Sequence, residues 1–154
     1  MSPTHTNAVA VEMTRTIAAP PGDVYRAFLD PEELRRWFGP RGFEATRVEV
    51  DERVGGRHRT ELVSAEHGRH AFDCEIRELV PGERIVLAWV FEDLDSPGER
   101  EETLLTVTLR ATGSDTTALT LVHARLAPGD GQGATEGWTE ALDKLEALYE
   151  RSGR

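Results

Sequence analysis

The chain has 154 residues, a length typical of one domain whose core needs neither a disulfide nor a metal to hold it together. Its formal net charge of -10 at pH 7 argues against general nucleic-acid binding, because contacts between basic side chains and phosphates dominate such affinity. The single cysteine, Cys74, excludes an intrachain disulfide and is typical of a reducing compartment; with no signal-peptide pattern and no apolar run of membrane-spanning length, we expect a cytoplasmic protein without membrane insertion.

The chain is expected to begin with a leader and one strand. Residues 1–10 are polar and have no regular period, so we predict a flexible leader there and a single domain over residues 11–154. Within that domain, residues 11–17 alternate apolar and polar side chains. This alternation is typical of a half-buried strand.

Two short helices are predicted between the first strand and residue 40. Pro21 suits the first position of one helix, because its φ is already helical and it lacks an N–H that would go unpaired. Asp30 is the expected N-cap of the second helix, with Pro31 at its first position. The second helix carries Trp37 and is expected to stop at Gly39, which a proline follows.

From residue 43 onward the apolar period changes to two, which predicts strands separated by turn residues. Each strand has one apolar face and one polar face, as in an antiparallel sheet with one side in water. Leu87, Trp89 and Phe91, for example, fall on the same face. The predicted strands are 43–51, 57–66, 69–80, 83–91, 102–111 and 116–125.

The last stretch of the chain predicts one long helix. It is expected to start at Ala134 or Thr135 and to end near Gly153, a suitable C-cap. Its apolar residues recur at intervals of three and four, so they form one stripe that needs an apolar surface beneath it. The pattern therefore predicts an α+β domain in which a curved antiparallel sheet of about seven strands wraps round this helix. The stripe consists of Trp138, Ala141, Leu142, Leu145 and Tyr149.

Several motifs occur in an order and spacing that are more specific than any one of them. They are IAAPPGDV at 17–24, DPEELRRWFGP at 30–40, DERVGG at 51–56, ELVPGERIV at 78–86 with Trp89, and GW at 137–138 with Leu142 and Leu145. Together they span roughly residues 12–151 and resemble the SRPBCC superfamily, also called START-like or birch-pollen-allergen-like. More narrowly, they resemble the branch named for the activator of the heat-shock-protein-90 ATPase.

The resemblance implies a helix-grip fold with a cavity between the sheet and the long helix. In this superfamily the cavity mostly serves lipophilic small molecules, and members include lipid carriers, hormone receptors, polyketide cyclases and co-chaperone domains. Because fold alone does not choose among such functions, the candidate residues have to be weighed individually.

The cavity is expected between the apolar face of the sheet and the C-terminal helix. Aromatic side chains that carry one polar group commonly line pockets for flat lipophilic ligands. The alternative is a core packed so fully that no cavity is left, and the sequence leaves both open. The predicted ligand-binding residues are Trp37, His58, Trp89, Phe91, Leu105, Leu121, His123, Trp138 and Leu142.

Histidines are the candidates for any acid–base chemistry in the cavity. His123 shares a strand face with Leu121, where an imidazole can act as an acid, a base or a hydrogen-bond donor to a ligand. The structural alternative is a core histidine whose hydrogen bonds are satisfied within the protein. We predict no catalytic residue unless the protein is an enzyme, in which case His123 would act, with His58 or Glu61.

No metal and no cofactor are predicted. His67 and His70 are three residues apart across a glycine turn, and no third ligand is adjacent. The glycine-rich segment 128–133 would need a glycine or alanine at position 136 to form a dinucleotide-binding motif, but Glu136 stands there. We therefore interpret this segment as a flexible lip of the cavity mouth or a plain linker.

Three functions remain open on the sequence, in descending order of support. The first is binding of a lipophilic small molecule, which follows from the apolar sheet face and the helix stripe. The second is a chaperone-associated module that binds another protein, which the branch resemblance alone implies. The third is a polyketide-cyclase-like enzyme. We expect a monomer or a homodimer, because the edge strands of such a sheet can pair between copies.

Overall fold

The computed structural model describes residues 8–96, 98 and 101–152, with the backbone alone at 151–152. Within these residues, no helix is both long and apolar enough to cross a membrane. The predicted α+β helix-grip fold is confirmed: a seven-stranded antiparallel sheet and a long C-terminal helix. The elements are β1 (Val9–Ile17), α1 (Pro21–Ala27), α2 (Pro31–Trp37), β2 (Glu44–Val50), β3 (Arg57–Ser64), β4 (Gly68–Val80), β5 (Arg84–Asp93), β6 (Glu102–Gly113), β7 (Thr116–Leu126) and α3 (Gly131–Ser152).

The sheet has the strand order β1-β7-β6-β5-β4-β3-β2. From β2 to β7 each strand pairs with the next one along the chain, while β1 crosses over to pair with β7. The two short helices fill this crossover between β1 and β2. As a result β1 and β2 are the two edges of the curved sheet, and α3 lies in its concave face.

Local sequence explains both short helices. In α2, the Asp30 carboxylate accepts a hydrogen bond from the backbone N–H of Glu32 at 2.9 Å, and Pro31 occupies the first turn, so the predicted N-cap is confirmed. In α1, Pro21 occupies the first turn as predicted. Trp37 is the last residue of α2, and its side chain is fully buried. Its indole N–H donates to the carbonyl oxygen of Ala27 at 3.0 Å and thereby connects α2 to α1.

The core is formed by the apolar stripe of α3 and the inner face of the sheet. Leu142 and Leu145 are fully buried there. At the edge of this contact, the Arg15 guanidinium of β1 reaches Asp143 at 2.9 Å and Glu146 at 2.6 Å, both on α3. Apolar packing and a partly buried ion-pair cluster therefore hold the same helix against the same sheet.

Every predicted strand boundary lies within two residues of the observed one, and the start of α3 differs by three or four residues. The start of α3 was predicted at Ala134 or Thr135, but the helix begins at Gly131, because the N–H of Ala134 already bonds to the carbonyl of Asp130 at 3.1 Å. The glycines of this segment form the first helical turn, where a helix tolerates them. Strand β1 begins at Val9, inside the predicted leader. Residues 1–7 and the predicted C-cap glycine lie outside the described residues.

We expect Leu142→Ala to lower the free energy of unfolding by about 2–5 kcal/mol, because it removes a fully buried side chain and leaves a void under α3. Glu136→Ala on the exposed side of the same helix is the matched control, for which a change within about 0.5 kcal/mol is expected. Urea titration of both variants measures the difference. Equal losses would contradict the placement of the helix stripe on the sheet.

Candidate functional site

A cavity of about 640 Å³ lies between α3 and the adjoining ends of the central strands. This volume falls within the range of roughly 300–1,000 Å³ that is typical of small-molecule sites. Its mouth is marked by exposed residues: Phe91, Glu101, Gly129 and Asp130. The lining residues are Phe38, Gly39, Pro40, Phe72, Trp89, Phe91, Glu101, Thr103, His123, Leu126, Ala127, Gly129, Asp130, Gly133, Ala134, Gly137, Trp138 and Ala141.

Small residues on α3 make room for the cavity. The part of the helix that faces it contributes Gly133, Ala134, Gly137 and Ala141, whose side chains are absent or a single methyl group. A Cβ added at Gly137 would meet only Pro40 within 4 Å, at 3.8 Å, which is ordinary van der Waals contact. The helix therefore fills the core where it carries Leu142 and Leu145, and space is left nearer its N-terminus, where small residues stand beside Trp138.

Five aromatic side chains line the cavity; we call them the aromatic cluster. Phe72 and Trp89 have ring centroids 4.7 Å apart, and Trp89 and Trp138 5.3 Å apart. The separations and tilts are those of favourable edge-to-face and tilted pairs, so the rings support one another. The aromatic cluster comprises Phe38, Phe72, Trp89, Phe91 and Trp138.

A chain of hydrogen bonds crosses the cavity wall from helix to sheet. The Trp138 indole N–H donates to Nδ1 of His123 at 3.0 Å, and Nε2 of His123 lies 2.8 Å from the hydroxyl oxygen of Thr103. That hydroxyl donates to the carbonyl oxygen of Trp89 at 3.2 Å. An indole can only donate, so Nδ1 must accept and the proton of His123 must sit on Nε2. The imidazole is therefore neutral and donates to Thr103.

Burial acts in the same direction on this imidazole. His123 is 4% exposed, and burial lowers its pKa to about 4, since a charged ring would lose its hydration. The one lone pair of the neutral ring is engaged by Trp138. His123 therefore links α3 to the sheet and forms part of the cavity wall. It has no lone pair free to take a proton from a ligand.

The second predicted histidine lies away from the cavity. His58 on β3 is fully buried, and its Nε2 lies 2.8 Å from the carbonyl oxygen of Phe28, an acceptor, so Nε2 carries the proton. Burial lowers the pKa of His58, and its Nδ1 has no hydrogen-bond partner among the described residues. The ring packs against Phe38, with centroids 5.9 Å apart.

The structure brings four of the predicted ligand-binding residues together at the cavity: Trp89, Phe91, His123 and Trp138. The other five are buried in the core instead and do not line it. The three leucines among them are fully buried, because their positions on the strands and the helix lie deeper in the core than the cavity does. These five residues are Trp37, His58, Leu105, Leu121 and Leu142.

Several lining residues were absent from the sequence prediction. Phe72 shares a strand face with Cys74 and Ile76, and Thr103 shares one with Leu105, so strand alternation contained a signal for both. Glu101 and Asp130 lie on connecting segments, whose course the alternation does not give. Cys74 is buried, as predicted, and burial raises the pKa of its thiol, which keeps it in the unreactive protonated form.

A β-bulge in β7 decides which side chain enters the cavity near its mouth. The register passes from Val11 opposite His123 to Val9 opposite Leu126, so three steps on β7 match two on β1. Arg125 within this bulge has φ 68°, which is unusual for a residue with a side chain. Strict alternation after His123 would turn Arg125 inward; the bulge instead exposes Arg125 and buries Leu126 in the cavity wall.

No metal site is formed within the described ranges: no three His, Cys, Asp or Glu side chains lie close enough together to hold an ion. His67 and His70 lie near Phe43 rather than around a shared centre; their rings are 5.8 and 5.3 Å from the phenyl centroid. The Nε2 atom of His70 is 2.7 Å from the carbonyl of His67, which occupies one nitrogen of the ring.

Comparison with known families is decisive for the fold family. The family model described as "Activator of Hsp90 ATPase homolog 1-like protein" matches residues 18–150, which is most of the chain. The chain belongs to this family. The resemblance drawn from the sequence motifs is thereby confirmed. No match to a curated protein was found.

Solved structures of proteins from several organisms share this fold. Protein CV1439 from Chromobacterium violaceum is 36% identical, with 90% of this chain and 95% of that chain covered and a TM-score of 0.78. The AHSA1 protein from Silicibacter pomeroyi is 23% identical, with 94% and 99% covered and a TM-score of 0.82. A protein from Arthrobacter aurescens is 20% identical, with 96% and 93% covered and a TM-score of 0.80. At these lower identities the likeness shows the fold alone.

We expect the stability of the protein to fall as the pH drops from 6.5 toward 4, with His123 contributing to the loss. The pKa of His123 is about 4 in the folded chain and 6.5 as a free side chain, so between these values the unfolded chain binds the extra proton. The stabilisation is complete above pH 6.5 and is lost as the pH falls through this window. His58, whose pKa burial also lowers, acts in the same direction.

Denaturant titrations of the wild-type protein and His123→Gln across this window measure the contribution. The variant lacks the ionisable ring, so its stability should depend less steeply on pH. Nitrogen NMR of the imidazole midway through the window gives a second readout, in which a bare Nδ1 and a protonated Nε2 are expected. Equal slopes together with a doubly protonated ring would contradict the neutral assignment.

Proposed function

We propose that this protein binds a lipophilic small molecule in the cavity between the sheet and α3. The observation that carries the proposal is the aromatic cluster around about 640 Å³ of space that the protein's own side chains do not fill. Burial of apolar ligand surface against such rings is the main source of affinity in small-molecule pockets. The residues proposed to contact the ligand are Phe38, Phe72, Trp89, Phe91, His123 and Trp138.

The geometry favours binding over acid–base catalysis. A general base needs a lone pair within reach of the substrate, and the lone pair of His123 is engaged by Trp138 at 3.0 Å. His58 does not line the cavity, and the buried Cys74 thiol is held protonated. Glu61, the remaining sequence candidate, is not among the residues that line the cavity and pairs with Arg59 at 3.1 Å, which also supports binding over catalysis.

A second candidate function follows from the family description. The family is named for an activator of the Hsp90 ATPase, which favours contact with a chaperone as the alternative. Such contact would use the outer surface of the protein. A substitution that fills the cavity and leaves the surface intact should therefore abolish ligand binding but not chaperone contact.

We expect native mass spectrometry of freshly purified protein to show a bound apolar molecule, which denaturing extraction then releases for identification. Gly137→Leu should abolish this mass and lower the affinity for an environment-sensitive lipophilic dye by at least about tenfold, because the new side chain extends from the helix into the cavity. Gly22→Leu is the matched control: it makes the same exchange on α1, where an added Cβ meets nothing within 4 Å.

Dye binding that is equal in Gly137→Leu, Gly22→Leu and the wild type would contradict binding in this cavity. Loss of dye binding in Gly137→Leu counts as support only when urea titration shows that both variants fold with similar stability. A bare mass together with no dye binding to the wild type would overturn the proposal. Chaperone contact would then be tested by adding the protein to an Hsp90 ATPase assay.

A further inference from the structure

We propose that the cavity prefers lipophilic molecules that carry a hydroxyl group over those of the same shape that carry a carbonyl group there, and that Thr103 sets this preference. The inference rests on the proposed function, because it names the ligand class and a specificity-determining residue for the same cavity. It follows from the direction in which the hydrogen bonds run through the cavity wall.

Trp138 fixes the direction of these hydrogen bonds. Its indole N–H can only donate, and Nδ1 of His123 accepts at 3.0 Å. The proton of the neutral imidazole is therefore on Nε2, which lies 2.8 Å from the hydroxyl oxygen of Thr103 and donates to it. Rotation of the threonine hydroxyl cannot reverse this order, because the indole that begins the chain of bonds has no acceptor atom.

The Thr103 hydroxyl is left with one lone pair for a ligand. A hydroxyl oxygen has one hydrogen and two lone pairs. The hydrogen is donated to the carbonyl oxygen of Trp89 at 3.2 Å, and one lone pair accepts the N–H of His123. In this arrangement Thr103 can accept a hydrogen bond from a ligand, and it can donate one only if it gives up its bond to Trp89.

The position of Thr103 makes that lone pair relevant to ligand binding. Thr103 is half-buried on β6, which lies between β5 with Trp89 and β7 with His123, and all three residues line the cavity. The aromatic cluster lines the same cavity, so a ligand group that enters it leaves water behind. A polar group that loses water without finding a partner costs free energy, whereas a paired one largely avoids this cost.

A hydroxyl and a carbonyl on the same ligand skeleton therefore differ at this point of the wall. The hydroxyl can donate to Thr103, and every hydrogen bond of the wall stays in place. A carbonyl brings a lone pair toward another lone pair. It either stays unpaired or takes the threonine hydrogen away from the carbonyl oxygen of Trp89.

The test is competition against the lipophilic dye by three compounds that share one naphthalene skeleton: naphthyl methyl carbinol, naphthyl methyl ketone and isopropylnaphthalene. All three have the same number of heavy atoms, so only the oxygen and its hydrogen differ. With the full chain at neutral pH, we expect the alcohol to bind at least about threefold more tightly than the ketone, a gain that one neutral hydrogen bond provides. The hydrocarbon shows whether the cavity binds the skeleton itself.

Two variants assign the preference to one atom. Thr103→Ser and Thr103→Ala both remove the methyl group, and only Thr103→Ala also removes the hydroxyl. We expect Thr103→Ser to keep the alcohol-to-ketone affinity ratio of the wild type. In Thr103→Ala the ratio should fall at least about threefold below that of Thr103→Ser, because the acceptor is lost and the N–H of His123 becomes free to donate to the ketone. Because each ratio is taken within one protein, a general change in stability does not imitate the effect.

The outcomes separate this inference from the proposed function. A ketone that binds the wild type as tightly as the alcohol overturns the preference, while ligand binding stands. A ratio that differs by less than about threefold between Thr103→Ser and Thr103→Ala overturns the role of Thr103; a hydroxyl held by Glu101 or Asp130 at the mouth would give this result. If the dye or the hydrocarbon binds but the alcohol does not, this inference alone is overturned. If the wild type binds neither the dye nor any of the three compounds, the proposed function and this inference fall together.

Discussion

The burial of one stripe of α3 in the concave face of the sheet is the constraint on which the rest of the structure depends. Leu142 and Leu145 lose all contact with water there, and the Arg15 ion pairs fix the adjacent edge strand to the same helix. Removal of apolar surface from water is the dominant favourable contribution to folding. Because the same helix bounds the cavity, the site cannot form unless this packing is in place.

The cavity follows from how side-chain size changes along that stripe. Where α3 carries leucines, the space between helix and sheet is filled; where it carries Gly133, Ala134 and Gly137, space is left. The segment after α2 closes the side, since the backbone N–H of Arg41 donates to Glu140 on α3 at 3.0 Å. The wall of the cavity is thus tied to the helix by hydrogen bonds as well as by apolar contact.

The bond between Trp138 and His123 makes the position of the helix along the sheet specific. Apolar stripes tolerate small displacements, but a shift of one turn would leave the indole N–H and the imidazole Nδ1 buried without partners. Each unpaired buried group costs about 1–3 kcal/mol. One polar contact beside an otherwise apolar cavity therefore discriminates between registers that hydrophobic burial alone would separate weakly.

The sequence was sufficient to predict the strands and the helix stripe, because periods of two and of three to four are local properties of the chain. It identified His123 and Trp138 as facing the same interior, but their hydrogen bond depends on how far α3 is displaced along the sheet, which no local pattern contains. Trp37 was expected to contact a ligand, but it is buried between the short helices. The sequence does not distinguish the two positions, because aromatic residues form the same pattern in a core and in a pocket wall.

The bulge at Arg125 interrupts the alternation and has no glycine to mark it, so sequence reasoning extended β7 in phase through residue 125. Glu101 and Asp130 lie on connecting segments that have neither a helical nor a strand period, so the sequence pattern does not show that both line the cavity. Patterns thus predicted the scaffold more completely than the site, because the site is assembled from the ends of many elements.

The separation along α3 of the small residues at the cavity from the leucines in the core has an evolutionary consequence. Substitutions at Gly133, Ala134 or Gly137 change the shape and polarity of the cavity, whereas the leucines that pack α3 on the sheet lie further along the helix. Substitutions at the cavity end of α3 therefore have little effect on the packing of its leucines against the sheet. A lineage built on this scaffold can reshape its cavity by point substitution while its architecture is inherited intact, which fits a fold retained at 20% identity.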